Sequence, residues 1–325
     1  MSSTIQAPQI IARSSFSTDV EKGLTDYPKH LPSKYFYDQR GDELFQQIMA
    51  MPEYYLTNCE FEIFEAQQTD ILEALGTEPF ELVELGAGDG TKTKILLEHF
   101  LAEGVDLIYR PIDISGSVLQ QLEKDCTNRW PGLRVAPVRG EYLQGLHQLQ
   151  EEDSGRRKVV LFLGGNIGNF PAPAAEAFLR DLAACLSVGD LLLTGFDLKK
   201  DPAIILEAYN DTAGITATFN LNLLQRMNRE LGADFDLERF CHWETYDPHS
   251  GEARSFIVSK IDQTVSIQQL QLNIHFEAWE AIAVEVSCKY NARDIAELAD
   301  EAGFMIVENF TDSRRYFVDS LWRLA

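Results

Sequence analysis

The chain has 325 residues, 45% hydrophobic and 24% charged, the proportions of a folded globular protein with two domains or one elaborated domain. A formal net charge of -23 speaks against nucleic acid as a partner, because a phosphate binder clusters lysine and arginine. It favours solubility and small cationic or zwitterionic ligands. Five scattered cysteines without a CxxC pair, and six histidines without metal-ligand spacing, predict reduced thiols and no metal. No stretch reaches the length of a membrane span and residues 1–16 carry no apolar signal segment, so a cytoplasmic protein with no membrane partner is expected.

Residues 1 to about 20 read as a polar arm. From Asp19 to Leu75 the pattern is helical, with apolar residues at 44, 45, 48 and 49 in one segment. Two aromatic-rich loops interrupt it, Ser33-Lys-Tyr-Phe-Tyr-Asp38 and Pro52-Glu-Tyr-Tyr-Leu-Thr57. Their four tyrosines exceed the needs of a core, since each buried hydroxyl requires a partner. Packing of an N-terminal cap is the other reading of the same residues.

The next stretch, Phe80 to Leu97, is an apolar run ending in Gly86, Gly88 and Gly90 and passing straight into a helical pattern. That is a strand, a turn too tight for side chains, and a helix whose first N–H groups face a ligand crevice. A dinucleotide fingerprint wants a further glycine or alanine where Thr91 stands, and Glu84 lies two residues before the turn. The pattern fits S-adenosylmethionine enzymes better, with Glu84 serving the positive amino end of the cofactor. The plain alternative is an ordinary strand-to-helix turn.

The following strand, Val105 to Asp113, ends in an acid placed to hold a ribose diol, or to act as an N-cap-like acid before a helix from about Gly116. Val138-Arg-Gly-Glu-Tyr142 ends a third strand with Glu141 beside Tyr142, a carboxylate and a ring suited to an adenine. Strands are expected near 80–86, 105–113, 133–139, 158–164 and 190–197, with helices near 91–103, 116–130 and 172–187, hence a parallel sheet with right-handed crossovers. The fourth strand ends in Gly164, Gly165 and Asn166 and should lie beside the first, so Asn166 faces the crevice or simply forms a turn.

After Pro202 the alternation stops. Ile204 to Leu231 reads as helices broken around Gly214, and Phe235 to Lys289 is β-rich. A helix over Ala292–Ala302, capped by Asn291 and stopped by Gly303, then resumes the sheet domain. The expected fold is α/β, a doubly wound, seven-stranded Rossmann-like sheet with a second α+β substrate-binding domain. Residues 1–60 plus 197–286 are assigned to the substrate-binding domain and 61–196 plus 287–325 to the cofactor domain, with substrate between them. Glu285 and Ser287 share one face of a strand, and a carboxylate with a hydroxyl could grip a ring bearing an N–H and an acceptor, such as an imidazole. A solvent-facing pair is the bland counterpart.

Taken together, Ser33–Asp38, Pro52-Glu-Tyr-Tyr55, Glu84-Leu-Gly-Ala-Gly-Asp-Gly90, Asp113-Ile-Ser115, Gly164-Gly-Asn-Ile-Gly-Asn169, Ala208-Tyr-Asn-Asp211, Gly214–Asn220 and Val284-Glu-Val-Ser-Cys-Lys289 make the chain resemble the histidine Nα-methyltransferases of ergothioneine biosynthesis. The resemblance implies successive transfer of three methyl groups from S-adenosylmethionine to the α-amine of L-histidine, through mono- and dimethylated intermediates, giving histidine betaine (hercynine). It implies that Asn166 and Tyr209 hold the amino and carboxylate ends, that Tyr54 lies near the methylated nitrogen, and that Glu285 and Ser287 read the imidazole, with Tyr37 and Phe45 lining the pocket. Gly86, Gly88, Lys92, Asp113, Ser115 and the Glu141-Tyr142 pair are the implied cofactor contacts, beside Glu84. The family usually has Asp-Phe at that pair, and Ser255 stands where a methionine is expected against the substrate ring.

Methyl transfer from a sulfonium is an in-line displacement that needs a neutral amine about 3 Å from the methyl carbon, so positioning and desolvation supply most of the rate. Tyr54 or a water chain near Asn166 is the expected proton relay. Tyrosine rings tolerate a nitrogen that gains methyl groups, since a ring face attracts a methylated cation by about 0.5–2 kcal/mol. A monomer is expected. The rivals are an N-methyltransferase of another aromatic amino acid such as tryptophan, an NAD-dependent oxidoreductase, and a regulatory protein on the same scaffold.

Overall fold

The computed structural model describes residues 14–152 and 154–325. In chain order they form α1 (Ser15–Thr25), α2 (Gln39–Met49), α3 (Tyr55–Leu75), β1 (Phe80–Leu85), α4 (Thr93–Ala102), β2 (Leu107–Asp113), α5 (Gly116–Arg129), β3 (Arg134–Val135), β4 (Val138–Arg139), α6 (Tyr142–Glu152), β5 (Arg157–Phe162), α7 (Ala172–Ala184) and β6 (Leu191–Asp197). There follow α8 (Pro202–Tyr209), α9 (Ile215–Leu231), β7 (Phe240–Asp247), β8 (Glu252–Ser259), β9 (Gln263–Ile267), β10 (Leu272–Phe276), β11 (Ala281–Cys288), α10 (Ala292–Glu301), β12 (Phe304–Thr311) and β13 (Phe317–Leu324). Short 3-10 turns occupy Ser33–Phe36 and Asn166–Asn169.

The chain divides into two compact units. The larger contains Met51–Ala208, Tyr246–Ala253 and Val286–Ala325. Its sheet has the order β12-β13-β6-β5-β1-β2-β3, with β4 following β3 along the same edge of β2. The third strand expected over 133–139 is thus two short ladders around Ala136 and Pro137, where the backbone leaves the sheet.

Strands β1, β2, β5 and β6 run parallel, and β13 closes the order antiparallel to both β6 and β12. Every residue of β1 and β6 is buried, as befits strands covered on both faces. The core around them includes Val83, Leu85, Phe162, Leu192, Phe196 and Trp322. Because β1 lies between β2 and β5, chain connections leave in opposite directions at its carboxyl end, the place where a doubly wound sheet opens a crevice. The turns after β1, β2 and β5 all end there.

Three local features differ from the sequence reading. The part of the expected arm from Ser15 onward is helical, because Ser14 caps α1 by accepting the amide of Ser17 at 3.2 Å; residues 1–13 lie outside the described residues. The loop expected over Pro52–Thr57 ends at Tyr54, and α3 begins at Tyr55. Helix α6 was not expected. Gly145 within it masks the helical pattern, and glycine is required because a Cβ there would fall 2.6 Å from Ile112 Cγ2.

The described residues of the smaller unit are 14–50, Tyr209–Thr245 and Arg254–Glu285. Its long helix α9 starts after left-handed Gly214 and stops at left-handed Gly232, so the break expected around Gly214 is a helix boundary. Phe219 on α9 packs against Phe36, with ring centroids 4.8 Å apart. Strands β9 and β10 pair antiparallel from Ile267↔Leu272 outward. Strands β7, β8 and β11 form a second sheet in the order β11-β8-β7. The unit boundary falls within each of them, after Thr245, after Ala253 and after Glu285. Helix α10 forms where the sequence predicts a helix, with a capping box between Asn291 and Asp294. All five cysteines are free thiols, and burial pushes that of Cys59 up to about 12.

Candidate functional site

The turn after β1 is built from left-handed backbone, with φ of 72° at Gly86, 52° at Gly88 and 63° at Gly90. Glycine adopts these angles without strain. Two of the three are also sterically enforced. A Cβ on Gly90 would lie 2.7 Å from Leu122 Cδ1, and one on Gly86 would lie 3.1 Å from the Tyr142 hydroxyl. Gly88 differs, since a Cβ there would meet nothing within 4 Å, and the middle of the turn faces open space.

Asp113, at the end of β2, binds this turn. Its Oδ2 accepts the Gly88 amide at 3.1 Å and its Oδ1 the Ser115 amide at 2.8 Å. The N-cap of α5 is Ser115, so Asp113 is not a cap. Tyr142 stands at the start of α6, edge-on to Phe162 at 5.4 Å, and burial pushes its phenol up to about 12. Its neighbour Glu141 is exposed. Gly86, Gly88, Asp113, Ser115 and Tyr142 therefore come together at the carboxyl end of β1 and β2. A left-handed turn with one open glycine, a carboxylate and an aromatic edge fits S-adenosylmethionine, whose cationic and ribose ends need such partners.

Glu84, expected to serve the amino end of the cofactor, is buried. Its Oε1 accepts the Thr93 hydroxyl at 2.6 Å and its Oε2 the Tyr109 hydroxyl. Desolvation dominates and raises its pKa to about 7, against the lowering effect of those two hydrogen bonds. Strand β1 is covered on both faces, so an acid two residues before the turn points into the packing.

The structure adds an acid that sequence reasoning missed. Glu60, on α3, is fully buried; its Oε1 accepts the Gly164 amide at 2.7 Å and its Oε2 pairs with Lys92. Gly195 on β6 makes the room, since a Cβ there would lie 2.7 Å from Glu60 Oε1. Opposite Gly195 in the ladder stands Asp319, fully buried with no donor at either oxygen. Desolvation first, and the Glu60 charge second, hold its carboxyl protonated well above the usual carboxylate range. Asp319 thus offers its proton to Glu60. Lys92 Nζ and Asn166 Nδ2 each lie 3.6 Å from where a Cβ on Gly164 would stand, which brings those two expected site residues side by side. The signal in the sequence was an acid, Glu60, among Leu56, Cys59, Ile63 and Phe64 on an otherwise apolar helix face.

A second buried polar group centres on Asp197 at the end of β6. Its carboxylate accepts the Tyr55 hydroxyl at 2.9 Å, Lys289 Nζ at 2.8 Å and Lys200 Nζ. Lys289 also donates to Ser287 Oγ at 2.7 Å. Ser287 is therefore anchored from within the larger unit. Tyr54, half-buried, is the residue preceding α3.

In the smaller unit Tyr37 and Phe45 meet edge to face at 5.4 Å, and both touch Phe219, at 5.7 and 5.9 Å. Tyr209 is buried, and its carbonyl accepts from His242 Nε2 at 3.0 Å. Burial holds the His242 ring neutral by lowering its pKa. Glu285 is half-buried at the end of this unit. Ser255 is buried and donates to Glu244 at 2.7 Å, so the position where a methionine was expected carries a hydroxyl committed to a carboxylate.

A family model described as histidine-specific methyltransferase, SAM-dependent, matches residues 16–324. The chain belongs to this family. A histidine N-alpha-methyltransferase of Mycolicibacterium smegmatis is 39% identical over 303 residues, covering 93% of this chain and 92% of that protein. The protein of the same name from Mycobacterium tuberculosis is 38% identical, covering 93% of each. Ergothioneine biosynthesis protein 1 of Schizosaccharomyces pombe is 30% identical over 86% of this chain but only 37% of its own length. The parallel sheet expected from the sequence is thus that of a S-adenosylmethionine-dependent methyltransferase. Among the described residues no group of three or more His, Cys, Asp or Glu side chains could hold a metal, and no helix is long and apolar enough to cross a membrane.

Proposed function

We propose that this methyltransferase converts L-histidine to its Nα-trimethyl betaine, hercynine, by three successive transfers, the first step of ergothioneine biosynthesis. The observation that carries the reading is the near full-length match to proteins named histidine N-alpha-methyltransferase, with Glu285 and Ser287 both present. When bound, S-adenosylmethionine supplies a methyl group made electrophilic by its sulfonium. Gly86, Gly88, Asp113, Ser115, Glu141 and Tyr142 hold it, Asp113 at the ribose and the Glu141-Tyr142 pair at the base, with Lys92 fixed beside them by Glu60. Asn166 orients the substrate amine through its side-chain amide without adding charge, and Tyr209 holds the carboxylate end. Tyr54 accepts or passes on the proton that each ammonium must lose before attack, at its phenolic oxygen. Tyr37 and Phe45 offer ring surface to the substrate, and Glu285 and Ser287 recognise the imidazole. The reaction is assigned to the cytoplasm and to a monomer, acting on free histidine and its mono- and dimethylated forms.

Mass spectrometry of histidine incubated with the protein and S-adenosylmethionine tests this. Products heavier by one, two and three methylenes are expected, with the α-nitrogen as the modified atom. Modification of tryptophan with histidine left untouched would assign the enzyme to another amino acid.

A further inference from the structure

Within the smaller unit Tyr37 is the single residue between two fixed pieces of backbone. The 3-10 turn Ser33–Phe36 ends just before it, and Asp38, the N-cap of α2, follows it. On the near side the Tyr35 carbonyl accepts Arg226 Nη1 at 3.0 Å. On the far side Asp38 Oδ1 accepts the Gly41 amide at 2.7 Å and Asn222 Nδ2 at 2.9 Å, and its Oδ2 pairs with Arg229. Phe219, Asn222, Arg226 and Arg229 are spaced by three, four and three residues, so they lie along one face of α9. Phe219 on that face touches the rings of both Tyr37 and Phe45. Gly41 has to be glycine in this arrangement, because a Cβ would fall 1.7 Å from the Phe36 carbonyl oxygen.

Two features go beyond what a helix cap requires. Desolvation works to raise the Asp38 pKa, yet the Gly41 amide, Arg229 and Asn222 hold its carboxyl below the usual carboxylate range. Asn222 is 3% exposed, and giving its N–H to Asp38 leaves its Oδ1 buried with no hydrogen-bond partner among the described residues. A cap needs only the Gly41 bond, and an apolar side chain at 222 would bury no orphan acceptor. What the bonds to Asn222 and Arg229 add is the placement of Asp38, and of the residue before it, against α9. We propose that Asp38 is a positioning residue for substrate binding, which through Asn222 and Arg229 sets the Tyr37 ring against Phe219 in the place where it meets the substrate ring. This rests on the assignment of Tyr37 to the substrate pocket. Asp38 acts on the substrate through Tyr37, so it changes histidine affinity and leaves cofactor affinity alone.

The test is a double-mutant cycle on calorimetric affinity for histidine, with enzyme saturated with S-adenosylhomocysteine and the affinity for S-adenosylhomocysteine alone as a control. Tyr37→Ala is expected to weaken histidine about tenfold, the worth of a lost ring contact. Asp38→Ala is expected to weaken it about fivefold or more, because a displaced contact loses most of what a deleted one loses, and to leave S-adenosylhomocysteine within about twofold of wild type. The two losses should not add. In a Tyr37→Ala background, Asp38→Ala should cost less than about twofold, whereas a merely structural Asp38 would cost the same in both backgrounds. Should Asp38→Ala not fold, Asn222→Leu spares the cap and takes its place in the cycle, with a loss of about threefold or more expected only where Tyr37 is present. Unchanged histidine affinity in the Asp38 or Asn222 variant, or equal losses in the two backgrounds, overturns the proposal and leaves histidine methylation standing. Unchanged affinity in Tyr37→Ala removes that ring from the pocket, and the proposal with it. A wild type that binds no histidine removes the proposed function and this proposal together.

Discussion

The carboxylate of Glu60 accepts the backbone amide of Gly164 at 2.7 Å, although the two residues lie 104 positions apart in the chain. The same carboxylate pairs with Lys92, so one buried acid fixes the turn that carries Asn166 and the lysine that follows the glycine turn. Glu60→Gln keeps an acceptor for Gly164 but leaves Lys92 without its counter-charge. It should cost about 1–3 kcal/mol in urea unfolding and weaken cofactor binding. Asp319→Asn should stay within about 1 kcal/mol of wild type, because Asp319 is already neutral and an amide can still donate to Glu60. Equal losses in the two variants would show that Asp319 is ionised.

Glu84 gives a pH-dependent contribution whose sign follows from its raised pKa. The folded state holds the proton up to about 7, whereas the unfolded chain releases it at about 4.5. Folded protein therefore binds more protons in that window, and Glu84 makes stability fall as pH rises through it. Above pH 7 the full difference, about 3 kcal/mol, counts against folding. Glu84→Gln does not titrate. Its stability relative to wild type should rise by about that amount between pH 4.5 and pH 8, measured by denaturant unfolding at each. A constant difference would place the ordinary carboxyl pKa on Glu84.

The glycine turn separates packing from ligand contact. Gly90→Ala adds a methyl group 2.7 Å from Leu122 at a left-handed angle, and should destabilise by about 2–4 kcal/mol in thermal or urea unfolding. Gly88→Ala meets nothing, so only the backbone angle costs, about 1–2 kcal/mol. Its larger effect is expected on S-adenosylmethionine affinity, read by calorimetry. Unchanged affinity in Gly88→Ala would show that the open side of the turn faces no ligand.

Asp113→Ala removes the acceptor for two turn amides, those of Gly88 and Ser115. Cofactor affinity should drop at least tenfold, in line with the loss of a charged hydrogen-bond acceptor worth about 1.5–3 kcal/mol. Asp113→Asn should recover only part of it. Wild-type calorimetric affinity in Asp113→Ala would take the ribose role away from this residue.

Glu285→Ala should raise the Michaelis constant for histidine by tenfold or more while leaving cofactor affinity within about twofold, since a carboxylate hydrogen bond to an N–H is worth about 1.5–3 kcal/mol. Parallel changes in both constants would remove Glu285 from ring recognition.

The sheet domain was largely legible because its signals are local. A buried parallel strand reads as an apolar run, three glycines before a helix allow few conformations, and Asn291 with Asp294 writes a helix start into the chain. Helix α6 was hidden by Gly145, whose reason for being glycine is Ile112 on another element. Glu60, and the partners of Glu84, were hidden for a related reason. An acid's role depends on which partners burial brings to it, and Thr93, Tyr109, Gly164 and Lys92 become partners only in the folded chain. Ser255 shows the same limit, since its committed bond to Glu244 is invisible in a string of residues.

Gly195 lies in the middle of a wholly buried strand, far from any turn, yet its missing side chain is the notch that admits the Glu60 carboxylate. A mutational survey that scored Gly195 by location would class it as part of the hydrophobic interior. Physically it acts through side chains on other elements, because filling the notch evicts the carboxylate on which both Lys92 and the Gly164 turn are hung.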